Sequence, residues 1–134
     1  MPYCSSDLYS GTANDSVATE GRVFHGKYIF KAIIEDLLAN TWLSEAEEVV
    51  FLGTSAGSAG VERNCDYMAD MLKAVKADMD VKCIIDSGTM LPINAYTDGC
   101  SEFSESVNNP LALWEPVYDE SCLSDNPNPE ECGR

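Results

Sequence analysis

Positive charge is scarce in this sequence. Eight Lys and Arg stand against 23 Asp and Glu in 134 residues, a formal charge of −15. A phosphate backbone is gripped by clustered cations, so nucleic acid is excluded as a partner. The shortage deepens toward the end: from Asp86 onward there are ten acids and one base, Arg134. Long apolar runs are also missing. Val49-Val50-Phe51-Leu52 is among the longest, the size of a strand and far short of a membrane span. Histidine is nearly absent, His25 being the only one, and the cysteines form no C-x-x-C pair. Both absences speak against a zinc site, and nothing in the chain calls for a metal or a cofactor. Internal repeats and low-complexity tracts are absent as well. Met1 is followed at once by Pro2-Tyr3-Cys4, with neither the basic start nor the apolar stretch of a secretion signal.

What is present is a globular composition, 45% hydrophobic and 23% charged, of single-domain length. Six cysteines in so short a chain point to an oxidising compartment and disulfides. Asn14-Asp15-Ser16 is a glycosylation sequon, in keeping with secretion. A cysteine-rich chain without a leader implies further sequence before Met1.

The middle of the chain alternates in period. Residues 5–21 are rich in Ser, Gly, Asn, Asp and Thr and read as a loop. From Phe24 to Ala39, two stripes at a spacing of four, Ile29-Ile33-Leu37 and Phe30-Ile34-Leu38, predict a helix. Glu48 to Gly53 predicts a strand apolar enough to be covered on both faces, as in a parallel sheet. From Ala56 to residue 77 the helical period returns, with Val61, Cys65, Met68, Ala69, Leu72 and Val75 on one side. Val81 to Asp86 predicts a second strand. Helix, strand, helix, strand is a parallel α/β pattern. After residue 91 the chain changes: Pro92, Pro110, Pro116, Pro127, Pro129 and three cysteines predict an irregular, lid-like segment over 92–134, beside a core over 1–91. A strand–helix unit takes roughly 25 residues, so a chain of this length has room for about five. Barely half of that is visible, and the pattern reads as a piece of a larger sheet.

Gly53-Thr54-Ser55-Ala56-Gly57 fits G-x-S-x-G, directly after the first strand and directly before the long helix. That is the setting of a nucleophile elbow. A tight turn lifts a serine oxygen above the sheet edge, glycines make room for the backbone, and an amide at the helix start donates to an oxyanion. Ser55 is the candidate nucleophile and the Ala56 amide a candidate oxyanion donor. The same pattern also serves as a glycine-rich turn that binds an anion or merely packs. Ser58-Ala59-Gly60 extends the small-residue run, either clearing space for a substrate or allowing close helix–sheet packing. His25 precedes the serine, whereas hydrolases of this pattern carry their histidine last, so it reads as a helix-surface residue. Asp86 ends the second strand at the edge where Ser55 sits. With no histidine to serve, Asp86-Ser87-Gly88 reads as a strand-end turn rather than a triad acid. The pairs Glu47-Glu48 and Glu130-Glu131 read as solvated faces.

Two cysteines fall at matched depth. Cys65 lies roughly 13 Å along the helix from Ala56. Cys83 lies roughly 10 Å back from the end of the second strand. A Cys65–Cys83 bridge is expected, while Cys4, Cys100, Cys122 and Cys132 allow three pairings.

Pro2-Tyr3-Cys4-Ser5-Ser6-Asp7, Tyr9-Ser10-Gly11, Gly53-Thr54-Ser55-Ala56-Gly57 with Gly60-Val61, and Asp86-Ser87-Gly88 with Leu91 resemble the Notum/pectin acetylesterase family in order and spacing. Tyr96-Thr97-Asp98, Cys100, Trp114 and Cys122 continue the resemblance more loosely. It implies a partial α/β-hydrolase fold and a secreted serine carboxylesterase. Its substrate would be an acylated polysaccharide such as pectin, or a lipidated protein such as a palmitoleoylated Wnt. Ser55 matches the family nucleophile and Ala56 one oxyanion donor. The other donors are expected before residue 1, and the triad Asp and His after residue 134. Thr89 and Met90 stand where Notum has aromatic residues, the second of which lines its acyl pocket. Cys65 and Cys83 are closer to the plant acetylesterases. A non-catalytic secreted binding protein on the same scaffold, or a generic anion-binding α/β domain, would show many of the same features.

Overall fold

The structure, a computed structural model, describes residues 3–88, 113–128 and 132. Its centre is a pair of parallel strands, β1 (Glu48–Thr54) and β2 (Asp80–Asp86), in register from Glu48↔Asp80 to Thr54↔Asp86. Helix α1 (Gly26–Asn40) and a short 3-10 turn (Trp42–Glu45) precede β1. Helices α2 (Ala56–Glu62) and α3 (Cys65–Val75) connect the strands, and α4 (Glu120–Asp125) lies near the C-terminus. The expected boundary at residues 91 and 92 and the contents of 89–112, Thr89, Met90 and Cys100 among them, lie outside the described residues.

Of the two stripes on α1, the structure uses one. Phe30 and Ile34 are buried and Leu38 packs beside them, while Ile29 and Leu37 face outward. Phe30 meets Phe51 of β1 with ring centroids 5.5 Å apart. Met68 and Leu72 of α3, Met79 and Tyr9 complete this core, against Val49 and Phe51 of β1 and Val81 of β2. Full burial of a Leu, Phe or Met side chain contributes about 1.5–3 kcal/mol, so each member of this cluster adds measurably to stability.

The opposite face departs from expectation. Side chains alternate along a strand. Val50, Leu52 and Ile84 therefore share the second face, where they are 48%, 56% and 45% exposed. Among the described residues the sheet is covered on one face only, because α1 and α3 both pack on the same side. Lys82 of the bare face is tied to Glu48 and Asp80 in a solvent-exposed ion pair.

The helix expected over 56–77 is two helices. Arg63 and Asn64 interrupt it, and both are buried. The Asn64 amide donates to the carbonyls of Gly60 (2.8 Å) and Tyr9 (3.1 Å), while its oxygen accepts from Lys27 Nζ (2.9 Å). A side chain that takes carbonyls in this way competes with continuation of the helix. The apolar period runs across the break, so hydropathy alone does not reveal it.

Candidate active site

Residues 3–25 wrap the top of α1 and α2. Asp7 is fully buried, and its carboxylate accepts from the Gly26 amide (2.7 Å) and the Tyr9 amide (3.2 Å). Gly26 opens α1, whose preceding residue, His25, makes no side-chain cap. Asp7 thus supplies from a distance the anion that a helix start favours. A Cβ at Gly26 or Gly11 would run into the Asp7 carboxylate. Tyr9 is delivered onto α2, where a Cβ at Gly60 would sit 3.0 Å from its ring.

The turn between β1 and α2 is the focus of the fold. Ser55 has φ 56° and ψ −121°, which an L-residue holds only where its surroundings impose it. The Ser55 amide donates to the Asp86 carbonyl at 3.0 Å. The Ser55 carbonyl accepts from the Ser58 amide (3.0 Å), the Ser58 hydroxyl and the Ala59 amide (3.4 Å). A Cβ at Gly53 would collide with the Gly57 carbonyl, so the first glycine of the motif is required by the approach of helix to strand. Gly57 differs: a Cβ there meets nothing within 4 Å. The last glycine leaves open space beside the serine rather than making room for backbone.

Ser55 is exposed, and among the described residues its hydroxyl has no hydrogen-bond partner. Ala56 is the first residue of α2, so its amide has no acceptor within the helix and lies beside the serine. A cavity of about 480 Å³ reaches the elbow, walled by Tyr3, Tyr9, Phe30, Phe51, Gly57 and Val61. Ser58, Ala59 and Gly60 are all buried: Ser58 and Ala59 pack closely, while Gly60 both packs against Tyr9 and lines the cavity.

His25 is engaged elsewhere. Its Nε2 lies 3.1 Å from Asn14 Oδ1, and its ring meets Tyr28 edge-on at 5.3 Å. Asp86 turns toward the elbow: its carboxylate accepts from Thr54 Oγ1 (3.2 Å) and Ser87 Oγ (3.0 Å). Among the described residues no group of three His, Cys, Asp or Glu is placed to hold a metal ion.

Two disulfides hold the frame. Cys65 and Cys83 are joined, with Cα atoms 6.2 Å apart, linking α3 to β2. Cys122 and Cys132 form the second bridge, at 5.8 Å. Cys4 is exposed and belongs to neither. Residues 113–128 dock on the rest through hydrogen bonds from the Thr12 and Ala13 amides to the Trp114 carbonyl. A reciprocal pair adds to this: the Asp119 carboxylate accepts from the Asp66 amide (3.0 Å), and Asp66 from the Ser121 amide (2.7 Å). Burial, reinforced by the nearby Asp66 carboxylate, pushes Asp119 up to about 6.

Asp7, Asn64 and Asp119 were not singled out as individual residues by sequence. The only trace of Asp7 lay in its block with Pro2-Tyr3-Cys4 and in the glycines at 11 and 26.

Known proteins resemble this chain in sequence and fold. The family model for pectinacetylesterase matches residues 1–133. The chain is 35% identical over 129 residues to the palmitoleoyl-protein carboxylesterase NOTUM of Schmidtea mediterranea, a match covering 91% of this chain and 24% of that protein. The human palmitoleoyl-protein carboxylesterase NOTUM is 32% identical over 130 residues, covering 91% and 26%. The solved structure of the Wnt deacylase Notum from Drosophila superposes with a TM-score of 0.85 at 31% identity, covering 99% of this chain and 40% of that one. The chain spans about a quarter of the length of the curated relatives it matches. With a family match over nearly its whole length and a parallel α/β core that superposes on Notum, this chain belongs to the pectinacetylesterase family and carries part of the α/β-hydrolase fold.

Proposed function

We propose that the chain is the nucleophile-bearing part of a secreted serine carboxylesterase. The observation that carries this reading is the strained Ser55 between β1 and α2, its hydroxyl exposed and unengaged beside a helix-start amide. Ser55 Oγ attacks the acyl carbonyl of an ester. Its proton passes to a base, the tetrahedral oxyanion is held by the Ala56 amide, and collapse expels the alcohol to leave an acyl-enzyme. Water then attacks the acyl carbon and regenerates the serine. The base and its orienting acid come from the remainder of the polypeptide, since His25 and Asp86 are both otherwise engaged.

Between an acylated polysaccharide and a lipidated protein, the curated relatives favour the second, being named palmitoleoyl-protein carboxylesterases. Two disulfides support an extracellular setting. The test is on the full-length protein. Wild type should hydrolyse p-nitrophenyl esters and be labelled at Ser55 by a fluorophosphonate, and Ser55→Ala should lose both. Retention of hydrolysis by Ser55→Ala would exclude the nucleophile. Failure of wild type in both assays would favour a binding protein on the hydrolase scaffold. Comparing acetyl with long-chain esters then separates the two substrate classes.

A further inference from the structure

The Asp86-Ser87-Gly88 turn lies outside the serine motif, 32 residues from Thr54 in sequence, yet three of its contacts converge on the elbow. The Asp86 carbonyl accepts the Ser55 amide at 3.0 Å. The Asp86 carboxylate accepts Thr54 Oγ1 at 3.2 Å, fixing the residue just before the nucleophile. Gly88 lies so close to α2 that a Cβ there would overlap the Ser58 hydroxyl, the same hydroxyl that donates to the Ser55 carbonyl. Thr54 and Asp86 are register partners at the ends of β1 and β2, so their side chains stand side by side on one face. Ser87 itself has φ 57°, a second non-glycine residue in the left-handed region beside Ser55. Two strained residues on adjacent strand ends imply a built junction, in which each chain holds the other in place.

We infer that Asp86 is a positioning residue for the Ser55 nucleophile. Through Thr54 Oγ1 and the Ser55 amide it sets the angle at which the serine leaves the sheet, and Gly88 keeps the second strand close enough for it to do so. This rests on the assignment of Ser55 as nucleophile. The carboxylate is already taken by Thr54 and Ser87, so its work is mechanical and needs an acceptor oxygen rather than a charge.

The experiment uses the full-length esterase with a soluble p-nitrophenyl ester and a fluorophosphonate. Misplacing a reacting group by an ångström costs about a hundredfold in rate, and a partial loosening costs less. Asp86→Ala should lower kcat and the fluorophosphonate labelling rate about tenfold to a hundredfold, with KM within about twofold. Thr54→Val, at the exposed rim, should do the same without touching the Asp86 backbone, and it stands in if Asp86→Ala fails to fold. The double variant should lose no more than the worse single one, because both changes remove one contact. Asp86→Asn keeps an acceptor oxygen and should restore most of the rate. Asparagine in place of a triad aspartate costs about 10⁴-fold, so a dead Asp86→Asn with a well-folded Asp86→Ala would make Asp86 the triad acid and overturn the inference. Wild-type kcat in Thr54→Val, or additive losses in the double variant, would overturn it as well. Failure of the nucleophile assignment shows separately, as activity surviving in Ser55→Ala.

Discussion

The two sides of the β1–β2 pair are built on different principles. At the upper edge, Thr54, Ser55 and Asp86 are exposed and held by hydrogen bonds and by glycines that let backbone approach backbone. Below, on the covered face, Phe30, Met68, Leu72 and Met79 are buried, and Cys65–Cys83 ties helix to strand covalently. The strained, chemically open edge sits on a rigid, chemically inert base. A serine at φ 56° is held by hydrogen bonds to its neighbours at the edge, and the core beneath fixes the two strand ends that make them.

The sharpest way to test that division is a crossed pair of substitutions in the full-length protein. Ser55→Ala should cost at least about 10³-fold in kcat while the melting curve stays put. Leu72→Ala, at a fully buried core position, should do the reverse. It should cost about 2–5 kcal/mol in denaturant unfolding and leave kcat per folded molecule near wild type. If Leu72→Ala lost activity without losing stability, the base would be part of the chemistry and the division would fail.

A smaller effect comes from the cystine. Replacing Cys65 and Cys83 by Ala together should destabilise by about 3 kcal/mol, the value for closing a loop of this length. The elbow should remain labelled by fluorophosphonate wherever the protein is folded. The two glycines of the motif then separate packing from access. Gly53→Ala drives a Cβ into the Gly57 carbonyl and should destabilise by about 1–3 kcal/mol with loss of labelling. Gly57→Ala meets open space and should gain up to about 1 kcal/mol of helix stability. Any loss it causes should be in KM or in tolerance of bulky acyl groups.

The mildest effect is on pH. Asp119 titrates at about 6 in the folded protein, against its ordinary 3.8, because it is partly buried next to Asp66. The folded state therefore holds this proton more tightly than the unfolded chain does. The contribution is fully present below about pH 4 and is lost as pH rises through about 6. Comparing melting temperatures at pH 5 and pH 7 should show this for wild type. Asp119→Asn, which keeps the acceptor for the Asp66 amide, should flatten the difference.

Much of this was legible beforehand. The period change at Glu48 and again at Ala56 marks a strand entering a helix, and the observed β1 and α2 begin at those residues. The serine motif was legible because it lies on consecutive residues at that junction. The Cys65–Cys83 bridge was legible because helix rise and strand rise are fixed lengths. What escaped depends on contacts between distant segments. Asn64 splits a helix whose apolar period is unbroken, since the carbonyl it takes from Tyr9 belongs to a residue 55 positions away. Cys122 and Cys132 could not be paired by counting, because three pairings were equally open.

By itself, then, the sequence determined the order of the elements, the place of the serine at a strand–helix junction and the disulfide-forming character of the chain. These are local matters: period, turn chemistry and composition act over a few residues. Only the tertiary structure decided which stripe of α1 is buried, which face of the sheet α1 and α3 cover, that Asp7 caps α1 and that Asp86 meets Thr54 and Ser55. Periodicity says that a residue has a face; what that face meets is set by segments brought together from 19 residues away for Asp7 and Gly26 and 32 for Thr54 and Asp86.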